Sequence, residues 1–375
     1  MSTTEERSKP SPNEGTDSIP DDLLPPVEAP SAGFILQLFV IPLIIVAIII
    51  LVFFFLNHMA HMGSSLNGTV RKLKKGDDAA WQQAVNLTHM MRDPKNEHLK
   101  HNSSLCLELA DVLKGSIREA STQEHKIKLR IFLCKILGEF LVDDGLSALK
   151  MAAETERDSG KIEPRDPKTQ RTLREIDVRR TALEAIALLM QNVGIEKFRQ
   201  DSDLHEILFS ATLESGDPQR DEHLRRKVRS AAAFALGVLG GQEALDRLEL
   251  LLGDPFANAR YNAAIGLARH GDERAIGKAD EPDAAVAGLL EMLDPNNQEV
   301  TKDEINKSGF TYKRELVLVN AIRASVKLHK KNAAADLSDL QTAIENLLDA
   351  KVPISVKNEA RKGLLSLRKR QQPVP

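Results

Sequence analysis

The chain has 375 residues, 42% of them apolar, and sets 51 basic side chains against 54 acidic ones for a formal net charge of −3. That balance excludes the strongly basic footprint expected of a nucleic-acid-binding domain. Two cysteines are too few for the disulfide framework of a small secreted scaffold.

Residues 1–33 hold six prolines (Pro10, Pro12, Pro20, Pro25, Pro26 and Pro30) and seven acids against Arg7 and Lys9, a net charge of −5. So little apolar surface cannot offset the entropy of ordering, and this acidic, Pro-rich tail is expected to be disordered. From Phe34 to Leu56 there follow 23 residues without a charge, interrupted only by Gln37 and Pro42. About 20 such residues cross the roughly 30 Å hydrocarbon core as a helix, so a transmembrane helix is predicted over 34–56. A freed carbonyl can be re-satisfied locally in a membrane helix, so Pro42 predicts a kink, not a break. The acidic flank and the length of the run argue against a cleaved signal peptide. Residues 57–76 read as a juxtamembrane linker. Within it Arg71, Lys72, Lys74 and Lys75 have no counterpart near the span on the tail side. That asymmetry predicts a cytoplasmic carboxyl-terminal domain and an external tail.

Residues 77–371 are rich in Ala, Leu, Glu, Lys and Arg and read as helix after helix. Val228–Leu236 (Val-Arg-Ser-Ala-Ala-Ala-Phe-Ala-Leu) and Ala259–Leu267 (Ala-Arg-Tyr-Asn-Ala-Ala-Ile-Gly-Leu) share one template. Leu99–Leu107 follows it with Ser for Ala, and weaker copies begin at Leu129, Val178, Tyr312 and Val356. The offsets between successive copies, 30, 49, 50, 31, 53 and 44 residues, are those of a solenoid with excess length in loops. Asp-Pro recurs at Asp93, Asp166, Asp217, Asp254 and Asp294. Proline ends one helix and the aspartate turns the chain and caps the next, which predicts units of helix, Asp-Pro turn, helix. Six or seven such pairs fit the length.

The Asp-Pro turn followed by Val-Arg-x-x-Ala-Ala-x-Ala-Leu-Gly resembles HEAT repeats, the kind found in bacterial proteins related to bilin lyases and in eukaryotic scaffold proteins. The likeness is strongest over Leu204–His270. Together with the apolar run it implies an all-α architecture, a single transmembrane helix followed by an armadillo-type superhelix. It also implies that Asp217, Asp254, Arg229 and Arg260 form a structural ladder between repeats and take no part in catalysis.

No residues are assigned to catalysis, to a cofactor or to a metal. His58 with His61, and His98 with His101, lie one helical turn apart but lack a third ligand nearby. The hydroxylases built on such repeats need several His-Glu dipeptides, and this chain has only His205-Glu206. Cys106 and Cys134 fall on apolar helix faces and read as buried free thiols. The basic runs Arg225, Arg226, Lys227, Arg229 and Arg361, Lys362, Arg368, Lys369, Arg370 read as solvated helix faces. Two polar insertions, 154–177 and 294–311, are long enough to be binding elements or idle loops. The expected function is a membrane-anchored scaffold that binds a protein partner through its solenoid surface, with a membrane-tethered enzyme or accessory lyase of the HEAT family as the alternative.

Overall fold

The computed structural model describes residues 31–61, 66–155, 173–215, 222–277, 288–302 and 307–368. The chain divides into two compact units after Ser65. Within the first, α1 (Ala32–His61) runs as one helix through Pro42. Its stretch Leu36–Phe55 is long and apolar enough to cross a membrane, and its side chains are exposed along that length. The rest of the tail lies outside the described residues.

All described elements of the second unit are helical. It begins earlier than the sequence suggests, with α2 (Leu66–Lys75) inside the stretch read as linker. Val70 and Leu73 of α2 are buried, so its apolar stripe joins the core while Arg71, Lys72, Lys74 and Lys75 stay exposed. Helix α2 pairs with α3 (Ala80–Arg92). The one-turn α4 (Glu97–Lys100) leads into α5 (Ser103–Glu119), which pairs with α6 (Glu124–Gly138). Next come α7 (Leu146–Ala153) with α8 (Glu175–Val193), and α9 (Ser202–Thr212) with α10 (Glu222–Leu239). The array ends with α11 (Gln242–Leu251) and α12 (Ala257–His270), α13 (Leu289–Leu293) and α14 (Lys307–Lys331), and α15 (Ser338–Asp349) and α16 (Ile354–Arg368). Among the described residues these make seven helix pairs. Their second helices form an unbroken row, α3, α6, α8, α10, α12, α14, α16, each packed on the next.

Small residues make that row possible. Ala231, Ala232, Ala233 and Ala235 of α10 and Ala263, Ala264 and Ala268 of α12 are all buried. Where α10 crosses α12, a Cβ placed on Gly237 would stand 2.7 Å from the Gly266 Cα, so both positions need glycine. A second helix has neighbours on three sides, which explains why α6 buries Ile127, Leu129, Ile131, Leu133, Ile136 and Leu137 almost all round.

Two details depart from the repeat template. Leu99–Leu107 is not a copy of the second helix, because the chain leaves α4 at His101 and restarts where the Asn102 side chain accepts from Leu105 N at 3.0 Å, capping the first helix α5. The second helix of that pair is α6, whose copy begins at Leu129, and the second helix of the preceding pair is α3, whose Ala and Leu spacing is masked by Trp81 and the glutamines. The Asp-Pro turns also serve two purposes. Asp254-Pro255 and Asp294-Pro295 join the helices of one pair, but Asp93-Pro94 joins successive pairs, with Asp93 capping a 3-10 turn over Pro94–Asn96. Asp166-Pro167 and Asp217-Pro218 lie outside the described residues.

Candidate protein-binding surface

The second helices carry two layers of chemistry. The inner layer is a ladder of arginines at the second position of the copies that begin at Leu129, Val178, Val228 and Ala259. Arg229 on α10 donates to Asp254 Oδ2 at 2.8 Å in the next repeat, to Glu222 Oε1 at 2.7 Å, and to the Glu214 carbonyl at 2.7 Å in its own repeat. Arg260 on α12 repeats the pattern, reaching Glu291 Oε1 at 2.5 Å on α13 and the Asp254 carbonyl at 2.9 Å. Arg179 on α8 reaches Glu214 Oε1 at 2.6 Å and the Ala153 carbonyl at 3.0 Å. Arg130 on α6 reaches Glu175 Oε2 at 2.6 Å and the carbonyls of Ser116 and Ser121 at 3.1 and 2.8 Å. Each guanidinium thus ties its own first-to-second-helix turn to an acid in the following repeat. Burial pulls the Arg229 and Arg260 guanidiniums down, but hydrogen bonds and charge from Asp254 and Glu222, and from Glu291, outweigh it and hold both above the usual arginine range.

Asp254, Arg229 and Arg260 therefore occupy the ladder that the resemblance implies, while Asp217 lies outside the described residues. Arg130, Arg179, Glu175, Glu214 and Glu291 belong to the same ladder. The arginines carried a signal, since each follows the template's first apolar residue. Their acids carried none, because the sequence distance from arginine to acid is 45, 35, 25 and 31 residues in successive repeats. The two polar insertions contribute to this interior where they are described. Glu175 and Asp177 are buried at the start of α8, and the Asn297 amide donates to Tyr261 Oη at 2.8 Å and to the Glu291 carbonyl at 3.0 Å. Residues 156–172 and 303–306 of those insertions lie outside the described residues.

The outer layer is the row's open face. Near the amino-terminal end its cations are occupied, with Lys128 over the Trp81 ring and Lys135 over Phe132. The basic run at Arg225 is not a solvated face but a set of structural contacts. Arg225 pairs with Glu214 at 2.7 Å, Arg226 lies over Phe256, and Arg229 is buried. Further along, α10, α12 and α14 enclose a groove of about 610 Å³. The 3.6-residue period puts Asn262, Ile265 and Arg269 on one stripe of α12 and Asn320, Arg323 and Lys327 on one stripe of α14, with Phe234 supplied by α10. Arg323 is paired with Glu359 on α16 at 2.7 Å, and Asn262 donates to the Ser230 carbonyl at 2.8 Å. A second depression of about 240 Å³ continues past Arg323 and Lys327 to Lys330, Lys362 and Ser366.

Cys106 and Cys134 are buried free thiols as expected, and burial, the largest cause, pushes Cys106 up to about 12. His98 and His101 are exposed. Among the described residues no group of three or more His, Cys, Asp or Glu side chains is placed to share a metal. No curated protein matches the chain. Residues 219–305 match the family model for HEAT repeats. That stretch contains α10 to α13, the Gly237–Gly266 crossing and the Arg229 and Arg260 rungs, and the same rung geometry extends back to Arg130. Residues 219–305 are thus similar to HEAT repeats and are set within a longer α-solenoid of helix pairs.

Proposed function

We propose that this protein is a membrane-anchored scaffold whose repeats bind a protein partner and do not catalyse a reaction. The observation that carries this reading is the row of seven second helices, which offers one extended face of side chains, with the arginine ladder linking its repeats from α6 to α12. Stacked pairs of this kind suit an elongated partner, because each adds a strip of surface without a new core. The run Leu36–Phe55 supports the anchor, and the basic residues of α2 favour a cytoplasmic position for the repeats with the tail outside.

Crosslinking in native membranes followed by purification of the tagged full-length chain tests the reading. A reproducible partner whose crosslinks map to second helices is the expected result; none in repeated preparations would overturn it. Alkaline extraction should leave the chain in the membrane fraction, and a tag at Pro375 should resist protease in sealed cytoplasm-in vesicles. Release by alkali would remove the anchor, and digestion of the tag would reverse the orientation.

A further inference from the structure

We propose that the groove between α10, α12 and α14 binds an acidic peptide segment bearing an apolar side chain, a proposal that rests on the scaffold reading and specifies where and what the repeats bind. The groove's floor is apolar, formed by Phe234, Ile265 and Ala324, and its walls bring three cations together, Arg269, Arg323 and Lys327. Among the described residues one acid answers them. Glu359 pairs with Arg323 from the far side, whereas Arg269 and Lys327 have no hydrogen bond or ion pair to any described residue.

A half-buried arginine with no carboxylate beside it marks this groove. In the depression between α2, α5 and α6, Lys74 is paired with Glu108 at 3.1 Å and Lys126 with Glu119 at 3.0 Å. On α12 the other arginine, Arg260, is fully engaged in the ladder. Arg269 is half-buried on the same helix, and burial, with no carboxylate to oppose it, holds its guanidinium below the usual arginine range. A carboxylate entering the groove would meet a cation whose desolvation cost has already been met by folding.

The remaining lining fits a polypeptide. Asn262 and Asn320 line the groove; the Asn262 amide nitrogen is held by Ser230, whereas the Asn320 carboxamide offers donor and acceptor together, matching the two polar groups of a peptide unit. A lipid headgroup or a nucleic-acid backbone offers acceptors to the cations but has no apolar side chain for Phe234 and Ile265.

The test uses the full-length chain in phosphatidylcholine nanodiscs and a short fluorescein-labelled peptide of Asp and Glu around a central Phe, beside its Asn and Gln counterpart. Anisotropy should show binding of the acidic peptide that weakens with salt and exceeds that of the neutral one by about tenfold or more. Lys327→Glu, at an exposed position, and Arg269→Gln should each cut the affinity by about tenfold, while Lys74→Glu leaves it unchanged. Circular dichroism verifies that each variant is folded; should Arg269→Gln unfold, Lys327→Glu and Asn320→Ala carry the test. Equal binding by Lys327→Glu and wild type, or equal binding of the two peptides, would overturn the proposal. So would loss, in these variants, of binding to phosphatidylserine or to an oligonucleotide while the peptide is unaffected. If the wild type captures a partner by crosslinking and Lys327→Glu captures it equally well, the scaffold reading stands and the groove assignment fails. If the wild type captures none, the scaffold reading itself fails.

Discussion

Arg229→Met is the sharpest probe of the ladder. The substitution removes the partner of Asp254, whose side chain is 5% exposed and keeps within its turn the hydrogen bond from Phe256 N at 2.7 Å. It also removes the bonds to Glu222 and to the Glu214 carbonyl. Breaking one side of a buried pair costs about 3 to 5 kcal/mol, since the surviving charge has lost water and partner alike. A unit spanning Leu66–Pro375 that unfolds as one has an unfolding entropy of about 0.65 kcal/mol per kelvin, so a loss of 4 kcal/mol lowers Tm by about 6 °C. The assay is thermal and urea unfolding of the full-length protein in detergent, followed by circular dichroism at 222 nm. The companion double variant Arg229→Met with Asp254→Leu buries no orphan charge and should recover about 2 kcal/mol or more of the loss. A single variant within about 1 kcal/mol of wild type, or a double variant that falls by the sum of its parts, would refute the claim that this rung is buried and paired.

Three further outcomes follow from the same geometry. Gly266→Val should cost about 2 kcal/mol or more in urea unfolding, because even its first carbon would stand 2.7 Å from Gly237 Cα and 2.8 Å from Leu248 Cδ1; a change below about 0.5 kcal/mol would mean the helices do not cross there. His270 is held below the ordinary imidazole range chiefly by burial, with Arg269, Arg199 and Lys331 adding to it against the contact with the Gly237 carbonyl. The unfolded chain therefore takes up a proton first, so stability should be full above about pH 6.5 and fall as the pH drops toward the folded value, a slope that His270→Gln should flatten below about pH 6.5. Cys106 and Cys134, both fully buried and with thiols pushed up by burial, should ignore a thiol-specific chromogenic reagent near pH 7 and react only in denaturant; rapid labelling of the folded protein would show that α5 and α6 open.

The helical class and the repeat were legible from the sequence because both rest on local rules. Ala-Ala pairs, the arginine that precedes them and Asp-Pro turns mark helix faces and ends at fixed offsets, and those offsets survive in a single chain. The template failed at Leu99–Leu107, where Asn102 caps a new helix, and at α2, where two buried apolar residues, Val70 and Leu73, gave too short a pattern to separate from a linker. The basic run at Arg225 misled for a different reason. Its charges meet Glu214, Phe256 and Asp254, partners that stand at varied distances along the chain.

The sequence by itself determined that a long uncharged run precedes a chain of amphipathic helices, since hydropathy and periodicity are properties of neighbours along the chain. Only the tertiary structure decided which arginines are rungs and which are free to bind. Arg260 and Arg269 are nine positions apart on the same helix, yet one meets Glu291 and the other faces a groove shared with Phe234 and Lys327. Stacking brings residues from separate repeats to within a few ångströms, and loops of unequal length erase any fixed spacing by which those encounters could be read in advance.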